Sequence, residues 1–339
     1  MDTSGSVFPC LQDLTHGLAS ALSLGGLIRG EVAVVAREPN IYSSTSPSEI
    51  VTCRLDDGSR LRLLCKSALN HHRRGPDHRT GVPYEATVYD HVLRPSRTSA
   101  PTCYGVYTDT AADVSCLILE YLEGGMWINH APEGSRSMEL AARWIGQFHA
   151  ANERRLQHTP LPFLRGYDAG YFRGWARRTA LRAADPPHGP PWLPRLCQAF
   201  EELTALLLAA PPTIIHGEYY PKNILYREGT IYPVDWESAA IAAGEIDLAS
   251  LTEGWPAAIA QRCEREYQQA RWPQGAPAAF ARTLEAARLY WCFRWLSDRT
   301  MASEFPRYLT QLRCISQRLE LMELSEKPHN AIAASQADV

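Results

Sequence analysis

Between Ile214 and Glu237 the chain sets polar groups at fixed offsets between short apolar runs. Ile214 and Ile215 lead into His216-Gly217-Glu218-Tyr219-Tyr220-Pro221-Lys222-Asn223. An apolar run from Ile224 follows, then the turn Arg227-Glu228-Gly229, then Tyr232-Pro-Val-Asp235-Trp-Glu237. Two strands joined by that turn form a hairpin. Its geometry brings Asp235 back beside Glu218 and Asn223, which flank the bend at Pro221. A neutral carboxamide oxygen and a charged carboxylate that meet in this way suit a hard divalent cation, which prefers oxygen ligands.

Phosphoryl transfer has these requirements: a carboxylate that orients the acceptor, and metal ions held against a nucleotide's phosphates. The order of groups resembles that of the aminoglycoside phosphotransferase and choline kinase group of protein-kinase-like enzymes. Their loop reads His-Gly-Asp-x-x-x-x-Asn and their metal motif Asp-Trp-Glu. His216, Gly217, Asn223, Asp235, Trp236 and Glu237 match, and Gly244-x-x-Asp247-Leu248-Ala249 matches the usual continuation. Glu218 stands where the group has Asp, which carries the carboxylate one methylene further from the backbone. The resemblance implies an α+β, two-lobed, protein-kinase-like fold. It has a five-stranded antiparallel sheet plus a helix at the N-terminus and a mainly helical C-terminal lobe. It also implies ATP and Mg²⁺ as cofactors, and transfer of the γ-phosphate to a hydroxyl of a small molecule: aminoglycoside-like, choline-like, or another metabolite or natural product. Asn223 and Asp235 would hold metal, Glu218 would orient the acceptor hydroxyl, and His216 would brace the catalytic loop. Glu218, together with a phosphate loop that lacks glycine, also admits a catalytically impaired relative that acts as a nucleotide-binding or scaffolding module.

Upstream, Glu31–Arg37, Ile50–Arg54 and Leu61–Ser67 are β-rich runs separated by turn residues, a pattern that predicts an antiparallel meander. Thr102–Thr108 and Val114–Glu120 complete five strands. The segment between the first two runs contains Ser43, Ser44 and Thr45, whose hydroxyls and backbone N–H groups offer hydrogen bonds to phosphates without glycine. Lys66 ends the third run where a kinase carries its phosphate-binding lysine, and Glu85 is its expected partner on a helix begun by Pro83. By resemblance, the Glu120 C=O and the Leu122 N–H would meet the adenine edge. The expected lobes are 1–121 for nucleotide and 122–325 for catalytic loop and acceptor, with a disordered tail over 326–339. The His- and Arg-rich run His71–Arg79 reads as a solvated loop.

Helices are expected over Ser135–Asn152, Tyr171–Leu181, Leu193–Ala209, Ala257–Ala270, Ala278–Arg299 and Pro306–Leu324. In the first, Leu140, Trp144 and Phe148 share one face, and His149 beside them is structural. Glu245, Glu253 and Asp298 are the acids, and Trp255, Trp291 and Trp295 the aromatics, that an acceptor pocket in this half would use. The Trp stripe also fits an ordinary core. Thirty-four Lys and Arg against 37 Asp and Glu give a net charge of −3, which argues against a nucleic-acid binder. Nine cysteines without Cys-x-x-Cys spacing read as free thiols of a reducing cytoplasm. No run is long enough to span a membrane, and the first residues lack the pattern of a signal peptide, so no membrane partner is expected.

Overall fold

The computed structural model describes residues 8–28, 31–42, 46–69, 80–96, 98–109, 114–132, 134–184, 190, 192–297 and 305–319. Ser43, Ser44, Thr45, the run from His71 to Arg79, Asp298 and the 326–339 tail lie outside the described residues. Among the described residues no helix is long and apolar enough to cross a membrane, and all nine cysteines are free thiols.

The chain opens with α1 (Leu11–Leu24) and the strands β1 (Ala33–Pro39), β2 (Ser48–Arg54) and β3 (Arg60–Leu69). Next come α2 (Val82–Val88), a π-helical turn (Tyr89–Leu93) and α3 (Arg94–Ser96), then β4 (Cys103–Asp109) and β5 (Val114–Glu120). The five strands form one antiparallel sheet in the order β1-β2-β3-β5-β4. Strand alternation divides their side chains. Val51, Cys53, Leu63, Cys65, Cys116 and Ile118 share a core cluster with Leu14, Leu18 and Leu22 of α1. Lys66, adjacent to Cys65, therefore falls on the opposite face. A methyl group on Gly17 would sit 2.6 Å from the Tyr107 ring, so α1 approaches the sheet as closely as a residue without Cβ permits.

After β6 (Met126–Trp127) comes the long α4 (Ser135–Leu156). Then follow β7 (Arg165–Gly166), α5 (Ala169–Ala184), α6 (Leu193–Ala209) and β8 (Pro212–Ile215). The hairpin of β9 (Ile224–Arg227) and β10 (Thr230–Pro233) is followed by β11 (Ala240–Ala243), α7 (Glu245–Thr252), α8 (Ala257–Arg271), α9 (Phe280–Ser297) and α10 (Phe305–Arg318).

Two compact units emerge. The first joins Met1–Ala151, His216–Ala239 and Pro256–Arg271. The second joins Asn152–Ile215, Ala240–Trp255 and Trp272–Val339. In the second, Trp291 and Trp295 meet edge to face at 5.8 Å and Trp295 stacks on Tyr308. The Trp291 indole N–H donates to Glu253, which is also paired with Arg307 at 2.7 Å. The aromatic stripe is core packing between α9 and α10, as its helical spacing allows.

In the first unit, α8 lies against α4. Arg143 pairs with Glu266, and Arg262 with Glu139. Buried Arg271 donates to the Tyr267 hydroxyl, which in turn reaches His149 Nδ1 at 3.0 Å. His149 is thus a bracing residue in a buried polar chain. The helices approach closely because Gly146 has no side chain: a Cβ there would lie 2.8 Å from the Tyr267 carbonyl oxygen and 3.0 Å from the Ala270 methyl. Gly146→Ala should therefore cost about 1–3 kcal/mol, the usual range for overpacking. A urea titration should show a lower midpoint at unchanged slope, and an unaltered midpoint would contradict this close crossing.

Candidate active site

Lys66 is the centre of the first unit's polar cluster. Its Nζ lies 2.7 Å from Glu85 Oε2 on α2 and 2.5 Å from Asp235 Oδ1. The residue is 8% exposed and Glu85 only 1%. Burial by itself would lower the lysine pKa, but Glu85, Asp235 and Glu237 outweigh it and hold that pKa above its ordinary value, so the ammonium stays charged. Burial likewise pushes the Glu85 carboxyl up, opposed by Lys66 and by the Trp236 N–H. That N–H donates to Glu85 Oε1 at 3.1 Å. One carboxylate thus binds the lysine on β3 and the backbone beside Asp235.

The hairpin sets the register of the remaining groups. Ile224 pairs with Pro233 and Arg227 with Thr230. The two-residue turn between them puts both Glu228 and Gly229 at positive φ, as a turn matched to strand twist requires. The Val234 N–H then donates to the Asn223 carbonyl, and Asp235 follows in the left-handed region at φ 68 and ψ 60. A non-glycine residue there is strained by roughly 1 kcal/mol or more. Its ion pair with Lys66 and the bond from Glu85 to the next amide compensate.

His216 uses both ring nitrogens on backbone. Nε2 lies 2.9 Å from the Val234 carbonyl, and Nδ1 accepts from the Glu218 N–H at 3.3 Å. Those partners define the tautomer with the proton on Nε2. Gly217 lies at φ +81, and a Cβ there would meet the Ser238 carbonyl oxygen at 2.3 Å, so only glycine fits. This close approach lets the Ser238 hydroxyl donate to Glu218 Oε2 at 3.2 Å. Asn223 Nδ2 donates to the Glu218 carbonyl at 3.1 Å, which fixes the amide and turns its Oδ1 the other way.

One oxygen from each of Glu218, Asp235 and Glu237 lies within 4.8 Å of the other two. Opposite ligands of a Mg²⁺ ion are about 4 Å apart, so a small side-chain rotation closes the set. With the Asn223 carboxamide beside them, the donors are all hard oxygens and fit such a cation. Next to this cluster a cavity of about 510 Å³ opens, within the usual size of a small-ligand site. Leu64, Leu119, Leu225 and Val234 supply apolar lining, and Lys66, Asn223 and Asp235 supply polar lining. The segment Glu120–Leu122 forms another part of its wall. There the Glu120 N–H is taken by the Thr102 carbonyl and the Tyr121 N–H by the Arg62 carbonyl. Tyr42 meets Trp127 edge to face at 4.3 Å, and both line the cavity.

Comparison with known proteins agrees with this geometry. The model of the phosphotransferase enzyme family, APH, matches residues 54–297. The chain belongs to the APH phosphotransferase family. No curated protein matches it. Solved structures share its fold at low identity. A choline kinase from Cryptosporidium parvum Iowa II is 12% identical, with 91% of this chain and 97% of that one covered and a TM-score of 0.60. A microcompartment-associated aminopropanol kinase is 15% identical, with 91% and 98% covered and a TM-score of 0.61. The amicoumacin kinase hAmiN, solved in complex with AMP-PNP, Ca²⁺ and Ami, is 11% identical, with 87% and 93% covered and a TM-score of 0.55. This member of the phosphotransferase enzyme family thus has the expected kinase-like fold.

Within the APH-family site, the structure gathers Lys66, Glu85, His216, Glu218, Asn223 and Asp235 around one cluster, with Glu120 and Leu122 on the adjoining cavity. Sequence reasoning left Glu237 without a definite place and passed over Ser238. The Asp-Trp-Glu-Ser run held the signal, since a 3₁₀ turn over Trp236–Ser238 returns both side chains toward Glu218. Tyr42 and Trp127 carry no motif and were not foreseen. Glu85→Ala should strip Lys66 of a buried partner and the Trp236 N–H of its acceptor. A loss of about 3–5 kcal/mol is expected, read as a fall in the thermal unfolding midpoint. A variant that melts with the parent would show that the pair does not anchor this cluster.

Proposed function

We propose that this protein transfers the γ-phosphate of ATP to a hydroxyl group of a small molecule, with Mg²⁺ as the required cation. The observation that carries the reading is the charged Lys66 held between Glu85 and Asp235, in the same unit as Asn223 and Glu218. Lys66 would shift its contact from Asp235 to the nucleotide's α- and β-phosphates while keeping Glu85. The apolar lining from Leu64, Leu119, Leu225 and Val234 would take the adenine ring. Its edge would bond to the Glu120 carbonyl and to the Leu122 N–H. Asn223 Oδ1 and Asp235 would hold the cation, which when bound supplies neutralising charge at the β- and γ-phosphates.

Glu218 would orient the acceptor hydroxyl and receive its proton as the new O–P bond forms and the bond from the γ-phosphorus to the β,γ-bridging oxygen breaks, releasing ADP. A loose transition state asks for positioning more than for a strong base, so the longer carboxylate suffices. His216, with both nitrogens engaged on backbone, would take no proton and would set the loop's shape. Choline and aminopropanol, named by structural neighbours, and aminoglycosides define the acceptor classes to examine first.

The test is phosphate transfer from Mg-ATP to a panel of amino alcohols, aminoglycosides, macrolides and other hydroxylated metabolites, followed by ³¹P NMR. Turnover on at least one class is expected, and Glu218→Ala should lower kcat by about 10²-fold or more. Tight ATP binding with no transfer to any of them, unchanged by Glu218→Ala, would favour the nucleotide-binding module instead.

A further inference from the structure

Between Glu218 and Asn223 the loop presents one lysine to the cavity without giving it an acid. Lys222 is the middle residue of the 3₁₀ turn Pro221–Asn223 and lines the cavity next to Asn223. The backbone on either side of it is tied down. The Asn223 N–H donates to the Tyr220 carbonyl at 2.8 Å, and the Ile224 N–H donates to the Pro221 carbonyl. Asn223 Nδ2 also holds the Glu218 carbonyl. The turn packs beside β6 and the turn Ile128–His130, which continue the chain from the Glu120–Leu122 wall. Only the lysine side chain is left to move. Lys222 is exposed, and among the described residues it forms no ion pair or hydrogen bond.

Charge decides what such a lysine is for. Among the described residues that line this cavity, Lys66 and Lys222 are the only lysines or arginines, against the acids Glu85, Glu120 and Asp235. Two lysines facing three acids make a lining that a polyanion enters at a cost. Lys66 is already held by Glu85 at 2.7 Å and by Asp235 at 2.5 Å. Lys222 has no carboxylate to give up before it can meet a phosphate. An ammonium on a flexible stem acts as a point charge that suits phosphate oxygens, and a cavity wall screens it less than open surface does. Given the phosphotransfer reading, on which this rests, we propose that Lys222 is a nucleotide-binding residue whose ammonium bonds to the triphosphate. Lys66 on β3 and Lys222 on the catalytic loop then grip one polyanion from two separate elements. Because Lys222 is tethered directly before Asn223, the same contact brings the phosphates to a residue that would hold the cation. The nucleoside part gains nothing from it, so Lys222 sets affinity for the phosphates alone.

The experiment is isothermal titration calorimetry on the full-length protein with Mg-ATP and, separately, with adenosine, for the parent, Lys222→Met and Lys222→Arg. Lys222→Met removes the charge and keeps most of the stem. It should raise the Kd for Mg-ATP about fivefold or more and leave the Kd for adenosine unchanged. Added salt should weaken Mg-ATP binding more steeply in the parent than in Lys222→Met. Lys222→Arg keeps the charge and should retain most of the parent's affinity. Circular dichroism melts check that each variant is folded, and if Lys222→Met is not, Lys222→Gln takes its place with the same expected loss. A folded, uncharged variant that binds Mg-ATP as tightly as the parent overturns the proposal. So does one that loses ATP and adenosine by the same factor, since that marks a residue that only shapes the loop. Selective loss of ATP affinity in a protein whose parent transfers phosphate to no acceptor would defeat the phosphotransfer reading and leave this one standing.

Discussion

A buried ammonium shared by two carboxylates organises the first unit. Lys66 joins the central sheet strand β3 to α2 through Glu85 and to the metal-motif turn through Asp235. Removing Lys66 would leave two acids facing each other in a place that water barely reaches, and removing either acid would cut one of the two ties that converge on it. The three elements are therefore held in one arrangement by electrostatics as well as by apolar packing. The same arrangement stores reactivity. A lysine bonded to Asp235 occupies one of the positions a cation would compete for, so a triphosphate that draws Lys66 away would also release Asp235.

Around that pair, backbone geometry supplies the precision. Asp235 sits in the left-handed region, held by contacts on both sides of its peptide. Gly217 allows two loops to touch at a distance that no side chain would permit. His216 spends its ring on two backbone groups, and the ring lies tilted against Trp236 with centroids 4.5 Å apart. Trp236, fully buried, packs in turn on Phe148 of α4. These contacts make the loop a rigid frame, which suits a reaction in which positioning outweighs acid–base strength.

Much of this was legible in the sequence. Val114–Glu120 and Leu193–Ala209 fall at the bounds expected for a strand and a helix. The Lys66–Glu85 pair followed from the family resemblance, and the return of Asp235 toward the loop that carries Asn223 from a hairpin whose length leaves little choice of register. Trp291 and Trp295 packed as core, one of the two outcomes their spacing allowed. The illegible parts share a cause: they depend on tertiary approach. Ser238 bonds to Glu218 across 20 positions only because Gly217 lets the loops close. The crossing of α4 and α8 depends on Gly146, one glycine among 22. Tyr42 and Trp127 meet through the folding of separate segments, with no periodicity to announce it.

The central claim is that Lys66, Asn223 and Asp235 form one nucleotide-responsive centre. A crystal structure with Mn²⁺ and a non-hydrolysable ATP analogue tests it most directly, since the anomalous signal locates the ion without ambiguity. The account predicts Mn²⁺ within about 2.3 Å of oxygens from both Asn223 and Asp235, with Lys66 moved onto the phosphates and still bonded to Glu85. An ion bound elsewhere, or Lys66 still bonded to Asp235 with the triphosphate in place, would contradict it.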